Sequence, residues 1–477
     1  MGKRVVVIGA GPGGYVAALR AADLGAQVTL VEKENLGGTC LNHGCIPSKI
    51  MNHCADILMQ LKTAKEFGIN LEGSLNPDMQ ALMKKKNKIL QIQRKGIDSL
   101  LNSRNVAVEK GRAVIKGHGL VQIIMDNDQS KQVEYDKLII AAGTCPLNVK
   151  AFPFDHENIL SSNDMLCLEK IPESIVIVGG GVIGCEFAFI FSALGSRVTI
   201  VEAMSRVLPL PMVDEECSKL LLKEMKKKKI KVLCDTIVKS AHQGQNGLSV
   251  HLGLSEFTDN PKPSKLKAEV IEAEKMAVCI GRSSLAKDLG LENIGLETDE
   301  QGWIKVDERM QTKLKNVYAI GDILGPSKAM LAHVASHEGM VAAANAMGIE
   351  ETMNYDVIPG AVFTMPEIGT VGLSEKTAID RGYNIETFSM NFRSLGKAHA
   401  TGELAGSAKM IVEKKSGRVL GVHITGSRAT DLIAEAGLAM RNELTVTQIA
   451  HTIHAHPTFG EIMGELALKA CKTPVHG

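Results

Sequence analysis

VVVIGAGPGGYVAALRAADLGAQVTLVE, residues 5–32, opens with a β-branched run, passes through Gly9, Gly11 and Gly14, continues as an Ala-rich stretch, and closes with a Val/Thr/Leu run ending at Glu32. Val and Ile runs suit strands, and the change to a 3.6-residue apolar period marks a helix, so the stretch predicts β-α-β. A parallel pair of strands requires such a crossover. The same unit recurs 170 residues on: Ile175 to Val178 supplies the run, Gly179, Gly181 and Gly184 the glycines, and LGSRVTIVE at 194–202 repeats LGAQVTLVE at 24–32. The predicted class is α/β, with two Rossmann-like dinucleotide-binding domains.

The spacing carries the chemistry. Gly9 and Gly179 permit the tight turn after the strand, Gly11 and Gly181 let a pyrophosphate approach the amides of the helix N-terminus, and Gly14 and Gly184 allow close helix–strand packing. Glu32 and Glu202 each lie 23 residues past the first glycine of their unit, where a carboxylate accepts hydrogen bonds from ribose hydroxyls. At position 202 that charge repels a 2′-phosphate; Ala203 and Met204 follow it, and the nearest following cation is Arg206. NAD is therefore expected over NADP at the second site. A different dinucleotide at the first site suggests FAD exchanging electrons with NAD.

Working outward, the chain of 477 residues is long enough for about three domains. Its 45% hydrophobic and 22% charged residues are those of a globular protein. Fifty-four Lys and Arg against 53 Asp and Glu give no field for nucleic acid or an anionic membrane, and neither is an expected partner. No long uncharged apolar stretch predicts a membrane span. The basic start followed by an apolar run imitates a signal peptide, but the fingerprint glycines and Asp23 make it the first strand of the fold. Ten cysteines are too few for a secreted disulfide framework, and with no Arg- and Ser-rich leader the expected location is cytoplasmic. The lysines at 84–86 and 226–229 read as solvated faces.

GGTCLNHGCIPSK, residues 37–49, places Cys40 and Cys45 five apart. In one regular helix that is a rise of about 7.5 Å with the side chains on different faces, so the two thiols meet only if the segment bends. Gly37, Gly38 and Gly44 supply flexible backbone, and Pro47 suits the first turn of a helix whose N-terminus favours a thiolate. The competing readings are two unrelated buried thiols, or a metal site with His43, His53 or Cys54; zinc spacing fits poorly, and no metal is expected. In HAHPTFGE, residues 454–461, Thr458 and Glu461 read as a capping box for the last helix, while His454 and His456 each offer an imidazole that is either a base or a structural ring.

GGTCLNHGCIPSK, the paired fingerprints and HAHPTFGE, with AAGT at 141–144, CIGR at 279–282 and VYAIGD at 317–322, resemble the flavoprotein disulfide reductases, the class I pyridine nucleotide-disulfide oxidoreductases. Within that family the chain is most similar to members that oxidise dihydrolipoamide, and the resemblance covers essentially the whole chain. It implies that Cys40 and Cys45 form a redox disulfide, Cys45 next to the flavin and Cys40 the interchange thiol. It also implies that Lys49, paired with Glu186, lies near the flavin, and that Asp322, with Gly143 and Gly281 of the neighbouring motifs, serves the cofactors. His456, oriented by Glu461, is the base and acts on the opposite subunit, which implies a homodimer. The implied domains are 1–148 for FAD, 149–278 for NAD, 279–347 completing the FAD site, and an α+β dimerisation domain at 348–477. The implied reaction oxidises protein-bound dihydrolipoyl groups and passes a hydride to NAD; no lipoyl-type domain precedes Met1, so the partner is a lipoyl-bearing protein of a 2-oxoacid dehydrogenase or glycine-cleavage system.

His43 and Phe459-Gly460 depart from the family pattern and imply altered rate or redox poise. The rivals are a glutathione- or mercuric-reductase-like enzyme and a non-catalytic FAD- or NAD-binding scaffold. Glu202 counts against the first, the single C-terminal Cys471 against the second, and the joint presence of Cys40, Cys45 and His456 against the third.

Overall fold

The structure, a computed structural model, describes residues 2–127, 129–244, 247–258 and 269–476. The two repeats fold as the same unit. The strand Arg4–Ile8, the helix Pro12–Asp23 and the strand Gln27–Glu32 find their counterparts in Ser174–Val178, Val182–Leu194 and Arg197–Val201. The ladder that pairs Arg4 with Gln27 reappears as Ser174 with Arg197, so the 170-residue offset survives into strand register.

Each unit builds a five-stranded parallel sheet. In the first, the order across the sheet is 317–319, 137–140, 4–8, 27–32 and 107–110; in the second it is 231–233, 197–201, 174–178, 275–278 and 159–161. The first strand of each repeat is buried along nearly its whole length, which explains the unbroken Val/Ile runs; in the second unit Val176, Val178 and Val201 pack on Val238, Leu248, Val250 and Leu252 of its antiparallel sheet. Each unit also carries a three-stranded antiparallel sheet, at 112–134 and 236–273. The strand Val317–Ala319 returns to the edge of the first sheet and places Asp322, three residues beyond, beside the first fingerprint.

Residues 359–426 form an antiparallel five-stranded sheet, backed by the helices Ala429–Arg441, Val446–Ala450 and Glu461–Ala470. This is the expected α+β part. It is tied to the second unit through buried Lys409, which lies 3.1 Å from Asp214 and 3.2 Å from Glu216 and also pairs with Glu375. Phe459, one of the departures from the family pattern, is buried and stacks on Phe392 at 5.7 Å, so it anchors the last loop to this sheet.

Two expectations are corrected. Lys86 is not on a solvated face: it is buried and donates to the Leu166 carbonyl at 2.6 Å, while burial lowers its pKa. The last helix begins at Glu461 and not at Thr458. The Thr458 hydroxyl bonds the Ala455 carbonyl instead of a helix amide, and only the reciprocal half of the box, Thr458 N–H to Glu461 Oε2 at 2.9 Å, is formed. Among the described residues, no helix is long and apolar enough to cross a membrane.

Candidate active site

The cysteine segment bends, and of the three glycines it does so at Gly44. One helix covers Gly38–His43, Gly44 breaks it, and a second runs from Cys45 to Thr63 with Pro47 in its first turn. A methyl on Gly44 would stand 3.0 Å from the Thr39 carbonyl oxygen, so the turn is closed tightly on itself. It brings the Cys40 and Cys45 side chains into hydrogen-bond contact, and both are thiols here. The bond from Cys40 lowers the Cys45 thiol to about 7, with Lys49 adding to the effect and burial and Glu186 opposing it. Cys40 is pushed up by the same bond and by burial. The pair is therefore polarised: Cys45 carries the charge and Cys40 the proton.

Lys49 sits one turn along the second helix, with its ammonium 2.9 and 3.0 Å from the two oxygens of Glu186. Glu186 is buried and also accepts the Phe363 N–H at 3.0 Å, while the Lys49 ammonium lies 4.0 Å from the centre of the Phe363 ring. Phe363 is thus a third member of this group that no sequence signal marked. A carboxylate from one fingerprint helix, a lysine from the cysteine helix and a ring from the C-terminal sheet meet at one point.

These groups line a cavity of about 1630 Å³. Gly9, Gly11, Gly14, Glu32, Gly143 and Asp322 of the expected cofactor residues line it with Cys40, Cys45, Lys49 and Glu186. Asp322 accepts from the Thr144 hydroxyl at 3.1 Å and faces Arg282 at 3.8 Å; burial raises its pKa, and these two partners oppose the rise. Arg282 and Thr144 close the CIGR and AAGT motifs, and their pairing across the site at 2.6 Å explains why both motifs converge there. Gly281, Gly179, Gly181, Gly184 and Glu202 are not on the cavity wall; the second fingerprint reaches it through Val182, Ile183 and Glu186.

The two fingerprint acids are held alike. Glu32 accepts the N–H groups of Ala10 and Glu34, each at 2.7 Å; Glu202 accepts those of Gly180 and Met204, the same positions 170 residues on. Burial raises the pKa of Glu202 while these amides oppose it. Arg206 turns away from this carboxylate and is spent on the Ser218 hydroxyl at 2.6 Å and the carbonyls of Val213 and Leu210 at 3.1 and 3.3 Å. His43 lines the same cavity as the two cysteines, and its Nε2 lies 3.7 Å from Glu34, two residues past the first fingerprint acid.

The glycines test whether dinucleotides fit. A methyl on Gly14 or Gly184 would meet the Gly9 or Gly179 carbonyl oxygen at 1.8 or 2.0 Å, whereas at Gly181 nothing lies within 4 Å, and at Gly11 only Gly38 at 4.0 Å. The third glycines are required by packing; the middle ones face open space that a pyrophosphate can use. The residues present fit both cofactors.

His456 Nδ1 bonds Glu461 Oε1 at 2.8 Å, leaving Nε2 unengaged on a side chain that is 73% exposed. Burial raises the pKa of Glu461, but the His456 bond and the Thr458 amide bring it below its ordinary value. Neither residue lines the cavity of Cys40 and Cys45. Among the described residues, no group of three or more His, Cys, Asp or Glu is arranged to hold a metal.

With this geometry in view, residues 3–339 match the family described as pyridine nucleotide-disulphide oxidoreductase, and residues 358–467 match its dimerisation domain. The chain belongs to the pyridine nucleotide-disulphide oxidoreductases. It is similar to the dihydrolipoyl dehydrogenase of Chlamydia muridarum, 38% identical over 99% of this chain and 97% of the relative. Those of Geobacillus stearothermophilus, at 37% over 99% and 97%, and Haloferax volcanii, at 36% over 100% and 98%, are similar too. In fold it is similar to LpdA from Mycobacterium tuberculosis, with a TM-score of 0.89 at 24% identity over 98% of this chain and 99% of that one. The flavoprotein disulfide reductase RclA from Escherichia coli gives 0.84 at 24% identity and the same coverage. The pyridine nucleotide-disulphide oxidoreductase is thus an enzyme of disulfide chemistry that works with FAD and NAD(H), and its C-terminal part is a dimerisation domain.

Proposed function

We propose that the enzyme oxidises protein-bound dihydrolipoyl groups to the cyclic disulfide and delivers the electrons to NAD. Residues 1–148 and 279–347 hold FAD, with Glu32 and Asp322 on its sugar parts and the Gly11 amides on its pyrophosphate. Residues 149–278 hold NAD through Gly181 and Glu202, and residues 348–477 pair two subunits. When bound, FAD would supply the two-electron relay from dithiol to NAD.

The residues divide the thiol chemistry as follows. His456 Nε2 of one subunit takes the proton of a substrate thiol at the other subunit's cysteines. The substrate thiolate bonds Cys40 Sγ while the Cys40–Cys45 bond breaks, and Cys45 leaves as a thiolate favoured by Lys49 and the helix N-terminus. The second substrate thiol gives its proton to Cys40 as its sulfur attacks the first and displaces Cys40, closing the lipoyl disulfide and leaving Cys40 as a thiol, Cys45 as a thiolate and the first proton on His456. The observation that carries this reading is the pair itself: Cys40 and Cys45 meet across the Gly44 break, beside Lys49 and Glu186, in the cavity that the first fingerprint lines. Exposure of His456 away from its own cysteines supports the two-subunit site. Glu202, with Arg206 turned away, supports NAD over NADP.

Complementation tests the reading. Cys45→Ser and His456→Gln subunits are each expected to keep FAD and lose dihydrolipoamide turnover; reassorted together, they regain about a quarter of wild-type activity from the one intact site in each mixed dimer. No recovery in demonstrated mixed dimers would reject the shared site, and turnover by the Cys45→Ser homodimer would reject the redox pair.

A further inference from the structure

His454 lies two residues before the base and is built differently from it. Its Nε2 stands 2.9 Å from Glu435 Oε1, on the helix Ala429–Arg441, and its Nδ1 stands 3.0 Å from the Thr452 carbonyl oxygen. Both partners only accept. A neutral imidazole has one N–H and satisfies one of them; the imidazolium satisfies both. The side chain is 13% exposed, and Gly464 on the last helix leaves just enough room for it, since a methyl there would fall 2.7 Å from Nδ1. His456, by contrast, keeps one nitrogen unengaged.

We infer that His454 is a positioning residue held as an imidazolium, which pins the His456 loop to the helix of Glu435 and cancels the Glu435 carboxylate that His456 would otherwise feel. This rests on the assignment of His456 as the base. The Glu435 bond is the largest influence raising the pKa of His454; burial opposes it, and Glu461 raises it further, which places the Glu461 carboxylate within reach of its charge. The charges around the loop are Glu435 on one helix, Glu461 and Glu465 on the last helix, His456 on the loop itself, and His476 of the C-terminal tail, which is paired with Glu465 at 2.8 Å.

The sign follows from the charges. In the wild type His454 and Glu435 cancel; in His454→Gln the Glu435 carboxylate stands uncompensated, His456 holds its proton more tightly, and the acid limb of the dithiol reaction moves upward by about half a pH unit or more. In His454→Gln with Glu435→Gln both charges are gone, and the limb returns toward its wild-type position. A ring that only fills space would lower turnover equally at every pH in both variants.

The test measures the pH dependence of kcat/KM for dihydrolipoamide with NAD in the FAD-loaded wild-type, single-variant and double-variant enzymes. Electron transfer from NADH to an artificial dye, which bypasses the thiol base, is followed alongside and reports folding and flavin content. The expected result is an upward shift in the single variant, its reversal in the double, and unmoved NADH–dye profiles. Equal, unshifted limbs in enzymes with intact NADH–dye activity would overturn the inference. If His456→Gln itself retains dithiol turnover, the assignment of the base fails instead, and the two failures are told apart.

Discussion

Gly181 and Gly184 lie three residues apart in one fingerprint, and the structure predicts opposite consequences for the same added methyl. At Gly184 the new carbon would sit 2.0 Å from the Gly179 carbonyl oxygen where ordinary contact begins at 3.4 Å, and 3.2 Å from Ile177. The helix Val182–Leu194 cannot retreat freely, because Phe187, Phe189 and Phe191 are all buried. The cost exceeds the usual overpacking range and is about 3 kcal/mol or more, lowering the unfolding midpoint of this unit by about 10 °C. At Gly181 nothing lies within 4 Å and φ is −73°, so alanine costs under about 1 kcal/mol, chiefly as a poorer N-cap. Its methyl instead stands where the pyrophosphate approaches, and NADH affinity should fall by about thirtyfold, or 2 kcal/mol, with FAD retained. Thermal unfolding and NADH titration by its own fluorescence measure the two effects. A Gly181→Ala enzyme that binds NADH like the wild type, or a Gly184→Ala enzyme as stable as the wild type, would refute the division of labour.

Other outcomes follow from the same geometry. In the reduced enzyme, alkylation of Cys45 by iodoacetamide should rise through a midpoint near pH 7, because its thiol is lowered and the thiolate persists above that value; a midpoint near 9 would contradict the polarised pair. Lys49→Met leaves the buried Glu186 carboxylate with only the Phe363 amide, so the alkylation midpoint should rise and stability should drop by about 2–4 kcal/mol, read from denaturant unfolding. Glu202→Arg should shift the NAD-to-NADP ratio of kcat/KM at least about tenfold toward NADP, and an unchanged ratio would mean that Glu202 does not face the ribose.

Much of this architecture was legible because glycine spacing and a repeated acid are local statements about backbone. The 170-residue offset fixed both β-α-β units, and a bend between the cysteines followed from helix geometry, since Cys40 and Cys45 could not otherwise meet, although its place at Gly44 did not. Phe363 was not legible: it approaches Lys49 from just past the strand Pro359–Val362, in a different part of the chain, and no local period announces that meeting. Lys86 was misread because a run of three lysines resembles a solvated face, whereas tertiary packing buries one of them against the Leu166 carbonyl. The capping box at Thr458 is only half formed because the Thr458 hydroxyl bonds the Ala455 carbonyl, and the helix starts two residues later than that box would start it. His454 and His456 look alike in the sequence; only the partners of their nitrogens separate them.

The central claim is the electron path from dihydrolipoyl thiols through the Cys40–Cys45 pair to NAD. Purified FAD-containing enzyme mixed with dihydrolipoamide and NAD, with NADP in parallel and NADPH plus oxidised glutathione as the control, tests it most directly. Rapid NADH formation that is absent with NADP and absent from the control is the predicted result. Failure to reduce NAD with dihydrolipoamide, in enzyme whose flavin is bound and whose cysteine pair is reducible, would contradict it and assign the pair to another disulfide.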